Sequence, residues 1–475
     1  MGVILTVSGI LILLYGLWIA AFVFLQRRDP ASTTAWLLIF VALPGIGFIV
    51  YYFFGRDLSK KKVFHFEDSE KKLIIKIANQ KRTEKKCKIR CEIEDQREII
   101  RLIGQLDKLP ISYDNEVDFY MNGHDKFKAF MEDIENAKEE VNVMYFIYKR
   151  GILGESFRDL LIKKAKEGVK VRLLLDDLGA RKVKGNYFKE LIATGGKVSF
   201  SFPVTSIYIR VNNRNHRKIA IIDRKYAYIG GYNIGDEYLG MKKKMGYWRD
   251  THVRIQGTSV QALLVRFILD WRHAGNNDMA IDYDVFRDPE NQGEIGAQVL
   301  SSGPDSKLAQ IKLAYMEIIS HAKEYIYIQS PYFVPDAPFL EAMKIALLKG
   351  VDIHIMIPNK QDHIFVYWAT YSFIGDLLPL GLKAYTYNNG FLHSKTIMAD
   401  GKVGSVGSAN FDERSFNLSF ETNVFLYGNK VGKAFKDIFE EDLKHCTQIT
   451  MEMYNNRSIM VRIKEPISRL ISPVL

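Results

Sequence analysis

A chain of 475 residues, nearly half apolar and a quarter charged, is long enough for more than one core and too apolar for a disordered chain. Its 66 basic and 55 acidic residues leave a net +11, which favours a polyanionic partner, nucleic acid or an anionic membrane, without choosing between them. Three cysteines, Cys87, Cys91 and Cys446, give neither a disulfide framework nor the second pair that a zinc site starting at Cys87 and Cys91 would need.

Residues 2–26 carry no charge, "RRDP" follows, and residues 31–55 are again uncharged. Each run exceeds the roughly 20 residues that cross a bilayer as a helix. The first lacks the basic start of a cleaved signal peptide. Residues 1–56 are therefore expected to form a two-helix hydrophobic membrane hairpin. Pro44 would kink the second run or mark a re-entrant segment, and Tyr51, Tyr52 and Phe53 fall where an aromatic belt belongs. The basic cluster after the second run (Arg56, Lys60, Lys61, Lys62) outnumbers the one in the loop (Arg27, Arg28), which places the remainder on the cytoplasmic side. The lysine-rich stretch 57–110 reads as a basic linker, either a solvated helix or a segment that adheres to anionic headgroups.

From there the chain is one unit written twice, over 111–290 and 291–475. "NAKEEVNVMYFIY" (136–148) resembles "HAKEYIYIQSPYF" (321–333), and "KEGVKVRLLL" (166–175) resembles "LKGVDIHIMI" (348–357). Gly168 and Gly350 fit the ends of helices ahead of the next strand. A helix–strand–helix–strand series of this kind predicts an α/β fold with a mixed or parallel sheet.

The repeat carries its chemistry in register. "NHRKIAIID" (215–223) returns as "LHSKTIMAD" (392–400). His216 and His393 are 177 positions apart, as are Lys218 and Lys395, Asp223 and Asp400, Gly230 and Gly407, and Asn233 and Asn410. "DTHV" from Asp250 parallels "ETNV" from Glu421. On a strand, His and Lys two apart point the same way, while Asp223 and Asp400 face elsewhere or begin the turn, which makes them mainly structural members of the set. Ammonium charge with neutral donors from Asn233, Ser408 and Asn410 suits a phosphate oxyanion. Paired about a pseudo-twofold, the halves would bring both histidines to one phosphorus, one as nucleophile and the other as general acid. Asp250 and Glu421 would each accept a hydrogen bond from a far ring nitrogen and fix its tautomer.

These strings resemble the phospholipase D superfamily, whose signature is His-x-Lys-x4-Asp followed by Gly-Gly-x-Asn or Gly-Ser-x-Asn; here the latter are "GGYN" and "GSAN". "RRDPASTTAWLL", "WRDTHVRIQG", "IQSPYFVPD", "GSANFDERSFNLSFE" and "KEPISRLISPVL" resemble, more narrowly, the bacterial cardiolipin synthases over nearly the whole length. The resemblance implies two tandem phospholipase D-like α/β/α halves and a catalytic set of His216, Lys218, Asp223, His393, Lys395 and Asp400. It also implies a membrane enzyme that converts two phosphatidylglycerols to cardiolipin and glycerol through a phosphatidyl-histidine, with His216 favoured as nucleophile. No metal or other cofactor and no nucleic-acid partner is expected; the partners are phosphatidylglycerol, cardiolipin and an anionic bacterial cell membrane crossed more than once, and a homo-oligomer is compatible with the sequence. The alternative is a phospholipase D-type phosphodiesterase that hydrolyses phospholipid or nucleic acid. "FVYWATYSF" (365–373) is either a lipid-facing entrance or an apolar core helix, and His363 just before it is a candidate for the pocket wall.

Overall fold

The computed structural model describes residues 63–83, 93–107, 109–203, 213–289 and 293–470, with 14–18, 21, 25, 30–43, 46, 47 and 51 ahead of them. In the first half, strands run from β1 (Ser112–Asn122) through β2 (Glu140–Tyr145), β3 (Lys170–Asp176), β4 (Lys197–Ser201), β5 (Ile219–Ile222) and β6 (Tyr226–Gly230) to β7 (Trp248–Gln256). The second half holds β8 (Ile295–Ser302), β9 (Tyr325–Gln329), the short β10 (Phe333–Val334), β11 (Asp352–Pro358), β12 (Lys383–Tyr387) and the short β13 (Phe391–Leu392). It continues with β14 (Thr396–Ala399), β15 (Val403–Gly407), the short β16 (Phe411–Asp412), β17 (Glu421–Tyr427) and β18 (Cys446–Ile449).

Strand order makes the duplication explicit. Outward from an antiparallel β1–β8 contact, one side runs β1-β7-β6-β5-β2-β3-β4 and the other β8-β17-β15-β14-β9-β11-β12, with β18 added at the far edge. Each half is mixed: β2-β3-β4 and β9-β11-β12 pair parallel and the other neighbours in that order antiparallel, while the short pairs β10–β16 and β13–β7 are parallel. The first parallel crossover of each half uses the helix Ile152–Lys166 or Ala337–Leu348. Both helices stop at a glycine, Gly168 (φ +88°) and Gly350 (φ +89°), whose left-handed backbone lets the next amide cap the last turn.

Alternation along the strands sorts the core into layers. In β3, Leu173 and Leu175 face an outer cluster with Phe130 and Phe157 of the covering helices, whereas Leu174 faces the opposite cluster. β17 does the same, with Phe425 and Tyr427 outward and Val424 and Leu426 inward. The inward cluster is common property: Ile219, Ile229 and Val253 of the first half pack with Met398, Val406 and Val424 of the second. The helix Ser259–His273 fills that middle layer through Leu264, Phe267 and Trp271. The two halves of the sheet thus share one hydrophobic interior, covered on each outside by helices.

Two sequence expectations concern the N-terminal part. The segment 57–110 is not all linker. The helix Arg97–Asp107 buries Ile99 and Ile103 in the outer core of the second half, and the helix Asp68–Thr83 is tied to the first half through a 2.7 Å Glu70–Arg272 ion pair. The hairpin expected over 1–56 falls largely outside the described residues, as do Pro44, Tyr52 and Phe53. Among the described residues no helix is long and apolar enough to cross a membrane; Pro30–Ala42 has 13 residues, and Tyr51 packs on Trp36 and Phe40.

Candidate active site

Each histidine enters the site on a strand-like extension that pairs with the other half. Asn215 bridges Phe420, and the His216 amide donates to the Phe420 carbonyl at 3.0 Å. Symmetrically, β13 pairs with the start of β7, and the His393 amide donates to the Arg249 carbonyl at 2.7 Å. The exchange extends to the side chains. His216 Nδ1 donates to Glu421 of the second half at 2.9 Å, and His393 Nδ1 donates to Asp250 of the first at 2.6 Å. Both carboxylates are fully buried. This crossing of partners is not written in the sequence register, which pairs each histidine with neither acid in particular.

The residue between His and Lys in each motif reinforces the crossing from the reverse side of the strand. Arg217 Nε donates to the Thr422 hydroxyl at 2.9 Å, and the Ser394 and Thr251 hydroxyls lie 2.7 Å apart. Each of these threonines directly follows the acid that holds the partner histidine.

With Nδ1–H committed to a carboxylate, the imidazole leaves Nε2 as its free nitrogen, and both His216 and His393 line a single cavity of about 740 Å³. Burial lowers the His216 pKa to about 4 against the opposing pull of Glu421; burial also lowers that of His393, with Lys395 adding to it. Lys218 and Lys395 are buried beneath, each donating to the carbonyl of its own histidine. Burial brings the Lys218 pKa down to about 7 and that of Lys395 to about 8, while Glu421 and Asp250 pull both back upwards. Each lysine therefore feels both acids, and each histidine feels both lysines, so the two motifs form one electrostatic cluster.

Asp223 and Asp400 do not join it. Counted with the catalytic set by motif, they sit at the far end of their strands. Asp223 accepts from the amides of Lys138, Glu139 and Glu140 at 2.7–2.9 Å, and Asp400 from Lys323, Glu324 and Tyr325 at 2.8–3.0 Å. Both hold positive φ, +50° and +51°, as the first residue of the hairpin turn. Their carboxylates clamp the entrances of β2 and β9, and neither residue lines the cavity.

The orienting candidates divide. Ser408 Oγ donates to the Glu421 carboxylate. Its counterpart in the first half is Gly231, where a Cβ would stand 2.1 Å from Asp250 Oδ1, so the first half has no room for a side chain there. Asn233 and Asn410 both line the cavity. Asn233 is pinned, accepting from the Ile147 amide at 2.9 Å and donating to the Tyr238 hydroxyl at 3.1 Å, whereas the buried Asn410 Oδ1 has no partner among the described residues. His363 also lines the cavity, and in the helix Ile364–Leu377 the first residues line the cavity while Ala369 and Ile374 are core. Sequence reasoning missed Lys149, Arg214, Arg414 and the hydrogen-bonded Tyr332–Asp362 pair on the wall, none of which repeats in register. Among the described residues the group with metal-ligand spacing, Glu98, Glu317 and His321, does not line this cavity.

Residues 130–266 and 315–443 match the family model described as cardiolipin synthase, PLD-like domain, so each matched stretch contains one His-x-Lys-x4-Asp motif and one of the exchanged acids. The chain belongs to the cardiolipin synthase family. Residues 16–56 match the model described as phospholipase D-nuclease N-terminal. Among relatives, the major cardiolipin synthase of Bacillus subtilis is 46% identical over 95% of both chains. The cardiolipin synthase of Listeria welshimeri is 44% identical over the full length of both. In fold, the chain is similar to the crystal structure of phosphatidylserine synthase from Haemophilus influenzae, with a TM-score of 0.61 over 80% of this chain and all of that one, at 14% identity.

Proposed function

We propose that this cardiolipin synthase family member exchanges glycerol on one phosphatidylglycerol for the headgroup hydroxyl of another, through a phosphatidyl-histidine on His216. The observation that carries the reading is the crossed pair of His–carboxylate contacts opening on one cavity. Neutral His216 attacks phosphorus through Nε2; the P–N bond forms, the bond from phosphorus to the glycerol oxygen breaks, and that oxygen takes a proton from the His393 imidazolium. His393, now neutral, accepts the proton of the second lipid's hydroxyl as its oxygen attacks; the P–N bond breaks and cardiolipin leaves. Glu421 and Asp250 stabilise whichever ring is cationic, and the lysines compensate charge on the phosphoryl oxygens.

The nucleophile assignment is supported by the burial that lowers the His216 pKa to about 4, which keeps its lone pair available. A bound phosphodiester places negative charge beside both rings and raises their proton affinity, which lets His393 carry the acid proton. One phosphodiester is exchanged for another, so the reaction needs no nucleotide. The hydrolytic alternative is not favoured, since the relatives at 44–46% identity over nearly the full length are cardiolipin synthases. We further place the uncharged runs of 1–56 as a membrane hairpin with the catalytic part on the cytoplasmic side; their length, the basic cluster that follows and the N-terminal family match support this.

The purified full chain, given phosphatidylglycerol labelled in its headgroup, is expected to release one free glycerol per cardiolipin formed. Phosphatidic acid as the main product would replace this reading with the hydrolytic one.

A further inference from the structure

The helix Ile459–Leu470 is amphipathic the wrong way round for a globular protein. At 3.6 residues per turn, Ile459, Met460, Ile463, Ile467 and Leu470 occupy an arc of roughly 100°. All five are exposed, from 49% at Ile463 to 82% at Leu470. The opposite face, with buried Glu465 and Ser468, is the one turned to the protein. It is fixed there by polar contacts: Glu465 takes Arg457 at 2.8 and 3.0 Å, and Arg469 pairs with Asp376 at 2.7 Å. A helix that buries its carboxylate and presents isoleucines outward is shaped for an apolar surface outside the protein.

Three observations identify that surface. Exposed Arg462 and Lys464 stand on either side of the apolar arc, the charge pattern of a helix lying in an anionic bilayer interface. The helix packs on Ile364–Leu377, with Lys464 over the Trp368 ring and Arg469 over the Phe373 ring, so the two run in the same direction. That alignment carries Ile459 and Met460 towards Ile364 and Phe365, which are themselves half exposed and line the catalytic cavity.

We propose that the helix Ile459–Leu470, with Ile364 and Phe365, is an interfacial docking surface that lies in the headgroup region of an anionic bilayer and sets the cavity mouth at the depth of the lipid phosphates. It acts beyond any anchoring by the N-terminal runs, because it is joined to the cavity wall itself. Lipids then enter sideways from the leaflet, and the acyl chains need not leave the membrane.

The test uses the full chain reconstituted in phosphatidylglycerol–phosphatidylcholine vesicles. In a background of Cys87→Ser, Cys91→Ser and Cys446→Ser, an environment-sensitive fluorophore on Ile463→Cys is expected to be quenched by lipids carrying a shallow nitroxide. Ile463→Glu with Ile467→Glu is expected to raise the surface concentration of phosphatidylglycerol needed for half-maximal rate roughly tenfold. The rate on dihexanoyl phosphatidylglycerol, which reaches the cavity from solution, is expected to stay unchanged, which also shows the variant to be folded. A fluorophore that lipid does not quench, equal losses on both substrates, an unchanged vesicle rate, or cross-linking of position 463 to a second copy of the chain would each overturn the proposal.

Discussion

Beneath His216 lies Glu421, with the Ser408 hydroxyl on its second oxygen; beneath His393 lies the shorter Asp250, seated over Gly231 and steadied at 2.8 Å by the Thr251 amide. Two residues past each acid the halves differ again. Asn423 is held by the Tyr315 and Ser405 side chains and the Ala409 amide, while both ring nitrogens of buried His252 are without a hydrogen-bond partner among the described residues. The paired histidines and lysines are nearly symmetric and their foundations are not. Equal chemistry at the surface therefore does not imply equal roles, and the halves can be told apart by perturbing what lies below each ring.

The largest effect is expected from the rings. His216→Ala and His393→Ala should each lower transfer roughly 10⁴-fold. A diester whose leaving group needs no proton, such as p-nitrophenyl, should still label the His393→Ala protein and not His216→Ala. Label on His393 alone would reverse the roles of the halves. Next come the acids: Glu421→Gln and Asp250→Asn are each expected to cost about 10²- to 10⁴-fold, by analogy with a wrongly held tautomer. Because the contacts cross, Glu421→Gln should slow formation of the labelled enzyme although it lies in the half without the nucleophile, and single-turnover quench measurements read that step directly.

Asp223→Asn and Asp400→Asn should behave alike and unlike the acids above. Each loses charge from three amide contacts at a strand entrance, for about 2 kcal/mol of stability by denaturant titration, with kcat/KM of the folded fraction within roughly tenfold of the parent. A loss of activity without a loss of stability would return them to the reacting set. The smallest effect is on pH. Protonation of His216 as pH falls towards about 4 removes the nucleophile, and deprotonation of Lys218 near 7 and Lys395 near 8 removes phosphate-compensating charge as pH rises. The rate should fall on both sides, and Lys218→Arg, which cannot lose its proton in this range, should move the alkaline limb upward.

The gathering of His216, Lys218, His393 and Lys395 into one cluster was legible because a strand's two-residue period and a fixed register of 177 positions leave little freedom. The same period separated Asp223 and Asp400 from the histidines. The crossing was not legible: it spans 205 positions for His216–Glu421 and 143 for His393–Asp250, and it depends on β1 meeting β8. Ile99 and Ile103 were hidden because the basic composition before them suggested a linker, while their spacing of four is that of a buried helix stripe. The wall residues Tyr332 and Asp362 belong to a single half, so no repeat marks them.

The exchanged contacts have an evolutionary corollary. A half on its own would hold its histidine in this way only by pairing with a second copy, and such a twofold dimer would have to use identical halves. Joining two copies in one polypeptide lets the halves diverge, as Ser408 opposite Gly231 and Asn423 opposite His252 do. The same fusion ties their fates, because a mutation in either copy now reaches the chemistry of both.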